Sequence, residues 1–250
     1  MLNIIVCYKW VIDEAYVKAS GALRELTLDR VDYKISDYDR NALEEAVRLQ
    51  KEHGGSVTAI TVGSPGATKG IKDALSRGAE KAFFINDPSF EKLEPSQTSA
   101  ILADVLKSQI EYDLIICGEG SSDLYTQQVG PRLAEMLDMP VISYVNKISI
   151  DGSNIIAERR TEEGIEIISA PLPALVTVLP DINAPRIPGL KDTLNASKKP
   201  VVNIGLTGLP GDYRSCLETL SIQGSSTERN CVRFGTSDED IAGFVDAIIK

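Results

Sequence analysis

Histidine is almost missing from this chain of 250 residues: His53 is the only one. A Ser-His or Cys-His catalytic pair would have to use it, and a zinc site would need ligands drawn from distant places. The four cysteines, Cys7, Cys117, Cys216 and Cys231, have no C-x-x-C spacing, so the common zinc and dithiol signatures are absent. Basic residues are also in deficit: 26 Lys and Arg against 36 Asp and Glu give a net charge of -10. That average field repels a phosphate backbone, so nucleic acid is not an expected partner. No apolar run approaches the roughly 20 residues of a membrane span. The short apolar start, Leu2–Val6, leads to Lys9 and not to a small-residue cleavage site, which makes cytoplasm the expected location. Neither G-x-G-x-x-G nor a Walker loop occurs. These gaps predict a binding or carrier chain with no metal and no catalytic residues of its own.

What is present is a regular alternation. Asn3–Tyr8, Val57–Val62, Lys81–Ile85, Asp113–Cys117 and Pro140–Tyr144 read as strands. Between them, Asp39–His53, Ala67–Ser76, Ser96–Ile110 and a segment from about Asp123 to Leu137 read as helices, with Ser96 an N-cap. Strands apolar on both faces, separated by helices, predict a doubly wound, mostly parallel α/β sheet of Rossmann-like, adenine-nucleotide-binding type. Cys7 and Cys117 then end adjacent central strands, as buried small hydrophobes. Sheets of this kind bind ligands outside the carboxyl ends of their strands, where strand order reverses.

From Lys147 the texture changes. Ile148–Ile150, Ile155–Arg160 and Ile165–Ser169, joined by the turns Asp151-Gly152 and Glu162–Gly164, read as a β-meander. Leu172–Leu179 is a further apolar strand, and Pro180, Pro185, Pro188 and Pro200 then break regular structure. Val201–Arg229 has little periodicity, but Asp238–Ile249 places Ile241, Phe244, Val245 and Ile248 on one helical face. The expected organisation is an α/β domain over 1–200, with the meander at 147–179 and a proline-rich loop at 180–200. Residues 201–250 read as an extended arm with a terminal helix, lying on something else.

The segment richest in chemistry is Gly118–Gly130, G-E-G-S-S-D-L-Y-T-Q-Q-V-G. Its glycines allow close backbone approach, and Ser121, Ser122 and Asp123 can cap a helix whose N–H groups suit a phosphate. A Gly/Ser turn with an Asp cap and no ligand explains the same letters. Gly63–Gly70 has similar composition and reads as a plain turn. Gln127-Gln128, read as helical, faces solvent, and Trp10 and Tyr8 wedge under a loop.

Several stretches together resemble the β subunits of electron-transfer flavoproteins. They are the opening Ile4–Glu14 (I-I-V-C-Y-K-W-V-I-D-E), Ile35–Ala46, the A-L-S-R-G-A step at Ala74–Ala79, Ala157–Glu166, L-P-A-L-V-T at Leu172–Thr177, and D-I-N-A-P-R-I-P-G-L at Asp181–Leu190 followed by Lys198-Lys199-Pro200. The run from Gly118 is similar to the FixA-like branch. The resemblance implies a heterodimer with an FAD-binding α subunit that carries electrons between dehydrogenases and an acceptor. The β-subunit site would hold AMP or a second FAD. By position, its cofactor-binding residues would be Cys7, Ser36, Asp37, Tyr38, Asp39, Val62, Gly118, Glu119, Gly120, Ser121, Ser122, Asp123, Leu124, Tyr125, Thr126, Gln127, Gln128 and Val129. The resemblance also implies docking of an acyl-CoA-type dehydrogenase, or a quinone- or ferredoxin-linked redox partner, at Arg186, Ile187, Pro188, Gly189 and Leu190. Pattern alone leaves Leu190 open between docking anchor and core residue. A stand-alone adenine-nucleotide-binding regulatory module of universal-stress type shares the sheet and the phosphate loop, but gives the proline-rich segment and the arm no role.

Overall fold

The computed structural model describes residues 1–20, 25–28, 31–215, 217–224 and 231–249; Cys216 lies outside them. The chain divides into two compact units, Met1–Val17 with Asp29–Thr219, and Lys18–Leu28 with Leu220–Lys250.

The chain begins with β1 (Leu2–Cys7), then the short strands β2 (Trp10–Ile12), β3 (Lys18–Ser20), β4 (Glu25–Thr27) and β5 (Tyr33–Ile35). Next come α1 (Asp37–His53), β6 (Gly55–Gly63), α2 (Thr68–Ser76), β7 (Lys81–Asn86), α3 (Pro95–Gln109), β8 (Leu114–Gly118) and α4 (Val129–Leu137). Then follow β9 (Val141–Asp151), β10 (Asn154–Thr161), β11 (Gly164–Pro171), β12 (Ala174–Val178), α5 (Leu190–Ala196), β13 (Val201–Gly205) and α6 (Asp238–Ile249).

The larger unit is built on one nine-stranded sheet of order β11-β10-β9-β12-β8-β1-β6-β7-β13. Every pairing from β9 to β13 is parallel, and only β10, which pairs antiparallel with β9 and with β11, runs against the other eight strands. The expected doubly wound α/β architecture is present. In β1, Leu2, Ile4 and Val6 join one core with Leu43, Ala46, Val47 and Leu49 of α1 and Ile71 and Leu75 of α2. Ile5 and Cys7 face the other way, into a core with Ile101, Leu102, Val105 and Leu106 of α3 and Leu133 of α4. Fully burying a leucine or isoleucine contributes roughly 1.5–3 kcal/mol, and this double cover is why β1 and β8 lack polar side chains in their centres.

Four boundaries differ from the sequence reading. Helix α3 is capped by Glu94, in a reciprocal box with Gln97, and Ser96 sits inside it. Strand β9 continues from the parallel sheet straight into the meander, so the fifth strand and the first meander strand are one element. Val201–Gly205, read as the start of an arm, pairs in register with β7 from Val201–Ala82 to Gly205–Asn86. Lys199 helps hold it there, donating through Nζ to Leu75 O and Ala79 O, each at 2.7 Å. Finally, α4 begins at Val129 and not near Asp123.

The smaller unit pairs β3 with β4, adds a bridge between Glu25 and Gln223, and contains α6. Phe234 meets Phe244 edge-on at 5.6 Å, yet Ile241, Val245 and Ile248 are exposed and no residue of α6 is buried. Among the described residues, no helix is long and apolar enough to cross a membrane.

Candidate nucleotide site at the switch point of the sheet

Strand order fixes where a ligand crevice can open. From β1 the chain winds through β6 and β7, then returns to place β8 on the opposite side of β1. The connections leaving β1 and β8 therefore diverge at their carboxyl ends, which is the switch point. There Cys7 pairs in register with Cys117. Both thiols are buried and unbridged, as expected, and the Cys117 thiol is pushed up by its hydrogen bond with Cys7 and by burial.

Asp39, in the first turn of α1, closes this fork. Its carboxylate accepts the Lys9 N–H at 2.8 Å and the Gly118 N–H at 3.1 Å, one from each diverging connection. Burial raises its pKa from 3.8 to about 7 against the lowering effect of those two donors. Gly118 is required: a Cβ there would lie 2.5 Å from Asp39 Oδ1 and 2.7 Å from Tyr38 Cβ.

The loop after β8 is tied to the start of α1. Ser122 N–H donates to Ser36 Oγ, and Ser122 Oγ accepts from Asp37 N–H, both at 3.2 Å. The Tyr38 and Tyr125 rings lie 5.2 Å apart. Lys9 Nζ reaches Asp123 at 2.6 Å. Burial opposes ionisation of Asp123, but Lys9 outweighs it and holds the carboxyl below its ordinary value. Tyr125 and Gln127 adopt left-handed backbone, at φ 47° and 57°. Ser121, Ser122 and Asp123 consequently cap no helix; Gln127 belongs to the loop and Gln128 is the N-cap position of α4. The helical reading of these residues fails because the loop is shaped by long-range partners.

Glu119 is the chief of these, and its structural role escaped the sequence reading. It is buried, and its carboxylate accepts from Thr177 Oγ1 at 2.7 Å, Gln127 Nε2 at 3.1 Å and Tyr144 N–H at 3.2 Å. One side chain thus fixes the loop against β12 and β9.

The structure gathers Cys7, Ser36–Asp39 and Gly118–Tyr125 at one end of the sheet. Val62 lies near the carboxyl end of β6, the strand next to β1. Val129 is the first residue of α4. A cleft of about 310 Å³ opens beside the loop, walled by Asp37, Tyr38, Ser121, Ser122, Tyr125 and Pro180. Trp10 is wedged against α2, where a Cβ on Gly70 would meet its ring at 2.7 Å. Among the described residues, no group of three or more His, Cys, Asp or Glu is placed to hold a metal ion.

The proline-rich segment is only partly free. Arg186 grips Glu44 of α1 through Nε at 2.6 Å and Nη2 at 2.7 Å, and its carbonyl accepts from Arg77 at 3.0 Å. Its guanidinium fastens the loop to α1 while remaining partly exposed. Ile187 is 93% exposed and Leu190, first residue of α5, is 78% exposed, so Leu190 is not a core residue.

A doubly wound sheet with a polar loop lashed over its switch point defines the class: a Rossmann-like α/β domain. The family model described as the electron transfer flavoprotein domain matches residues 25–207, and the chain belongs to that family, whose members are associated with flavin and with electron transfer.

Proposed function

We propose that this chain is the β subunit of an electron transfer flavoprotein of the FixA-like branch. It pairs with an FAD-binding α subunit, and together they carry electrons from a dehydrogenase to an acceptor. Its own crevice holds an adenine nucleotide, either AMP or a second FAD, and it turns over no substrate of its own. One observation carries the reading: the Glu119–Gln128 loop, knitted to Ser36–Tyr38, borders a cleft at the carboxyl ends of β1 and β8. When bound, the flavin supplies the redox chemistry. This chain's residues would hold the nucleotide: Ser121 and Ser122 offer hydroxyls, and Lys9 offers a cation 2.6 Å from Asp123 that a phosphate can compete for. The exposed apolar residues of α6 and of the Ile187–Leu190 segment suit contact with an α subunit and a redox partner. A stand-alone regulatory module leaves both surfaces without a role.

The test is purification with a co-expressed α subunit, followed by flavin and AMP determination. One FAD per heterodimer with AMP places AMP in this site, whereas two FAD place a flavin there. Ser122→Glu sets a negative charge in the loop and should empty the site while circular dichroism stays unchanged. Undiminished nucleotide in that variant would refute the site. Leu190→Ala should slow transfer to the partner dehydrogenase while melting temperature holds, because truncating an exposed side chain leaves no cavity. A lowered melting temperature with transfer intact would assign Leu190 to packing.

A further inference from the structure

A second cleft of about 310 Å³ shares Asp37 and Pro180 with the first and is otherwise walled by Arg40, Asn41, Arg77, Pro185, Arg186 and Ile187. Three of these residues are arginines, in a chain whose net charge is -10. They come from three parts of the fold. Arg40 stands on α1, Arg77 directly follows α2, and Arg186 belongs to the proline-rich segment. Only the folded chain brings them to one wall.

Two of the guanidiniums are held by groups that do not line the cleft. Arg77 donates through Nε to Asp73 and through Nη1 to the Arg186 carbonyl, both at 3.0 Å, and Arg186 grips Glu44 through Nε and Nη2. Arg40 is engaged through Nη1 alone, at 2.9 Å from Asp37, a carboxylate that also accepts from Lys34 at 2.9 Å. A guanidinium carries five N–H donors in a planar fork. Among the described residues, Arg40 Nη2, Arg77 Nη2 and Arg186 Nη1 therefore make no hydrogen bond. Arg40 Nε is buried outright and has no partner either. An unmade hydrogen bond on a buried, charged donor costs its full desolvation. Fastening the proline-rich segment accounts for Arg77 and Arg186. It leaves Arg40 unexplained.

The balance of charge on this wall is three cations to one carboxylate. The first cleft is the reverse: its charged wall residues, Glu14 and Asp37, are both acidic. Guanidinium forks match the paired oxygens of phosphate and carboxylate, and half-covered arginines bind them more strongly than exposed ones. We propose that Arg40, Arg77 and Arg186 form a binding site for a small-molecule oxyanion, a phosphate or a carboxylate, separate from the nucleotide crevice. The anion takes the donors that the fold leaves uncommitted, and ties the proline-rich segment to α1 and α2 at one further point.

The experiment uses the full chain, titrated by calorimetry with sodium phosphate and with sodium succinate against sodium chloride at matched ionic strength. Wild type should give a saturable isotherm with at least one probe, and the tighter of the two identifies the headgroup. Arg40→Gln should weaken that binding about ten-fold or more. Arg40→Lys keeps the charge but loses the fork, and should recover only part of it. Circular dichroism of Arg40→Gln should match wild type, since one partly exposed ion pair holds that side chain. Arg77→Gln supplies a second variant at the same wall and should weaken binding likewise. Ser122→Glu alters the other cleft and should bind the probe as wild type does. No saturable binding in wild type, or undiminished binding in both arginine variants, would overturn the site. Binding lost in Ser122→Glu would overturn it too, by placing the anion in the nucleotide crevice.

Discussion

Two loops in this protein leave the carboxyl ends of parallel strands and enter helices, and they resemble each other in composition. After β6, Ser64 leads through a single 3-10 turn, Pro65–Ala67, straight into α2. After β8, the residues from Glu119 to Gln128 intervene before α4. At its tip the first loop has room: a Cβ on Gly66 would meet nothing nearer than Ser64 Oγ at 3.7 Å, although one on Gly63 would come within 3.3 Å of Ala67 Cβ. The second is held by a buried carboxylate, a reciprocal pair of serine hydrogen bonds, an ion pair and a tyrosine contact. Small residues alone therefore do not distinguish a connection from a site. What distinguishes them is the polar partners recruited from elsewhere in the chain, and these gather only where strand order reverses.

Removing the deepest of those partners should separate the loops most. Glu119→Leu leaves Thr177 Oγ1 and Gln127 Nε2 without their acceptor, and Tyr144 N–H with Thr177 Oγ1 alone at 3.3 Å. We expect a loss on the order of 3 kcal/mol in urea unfolding, with looser binding of any nucleotide. A loss below about 1 kcal/mol would show that water replaces the carboxylate and that the loop shapes itself.

The glycines give a direct contrast. Gly118→Ala drives a methyl into Asp39 and Tyr38 and should cost roughly 2 kcal/mol, whereas Gly66→Ala should stay within about 0.5 kcal/mol of wild type. Equal effects in thermal melts would erase the distinction between the two loops.

The pH dependence of stability is the most graded test. Asp39 has a folded pKa of about 7, raised from 3.8. Between those values the folded chain keeps a proton that the unfolded chain has released. Stability should therefore fall as pH rises through the window, by at most about 1.4 kcal/mol per pH unit, and level off above it. Carboxyls held low, such as Glu44 by Arg186, act in the opposite sense but below their ordinary range near 4.5. The interval from about pH 5 to 7 thus reports Asp39. An Asp39→Asn variant with the same slope would assign the effect to another group.

Much of the sheet was legible in the letters because β1, β6, β7, β8 and β12 are apolar on both faces, a pattern imposed by two flanking layers. That same logic sets Cys7 beside Cys117, at the ends of two adjacent strands. The loop was legible in composition but not in shape. Ser121-Ser122-Asp123 has the letters of a helix start, yet no local pattern encodes that Glu119 will find Thr177, 58 residues away. Val201–Gly205 was missed because it is an edge strand following a proline, with three of its five residues exposed, so the two-sided apolar signature is weak.

At the fork between β1 and β8, two backbone donors converge on one seat, and Asp39 already occupies it. The protein supplies its own resident anion there, attached to α1 and impossible to wash out. Those two donors are therefore satisfied from within the fold and are not open to an outside acceptor. With its pKa raised to about 7, that resident group is also adjustable: one proton more or less near neutrality changes the charge held at the fork.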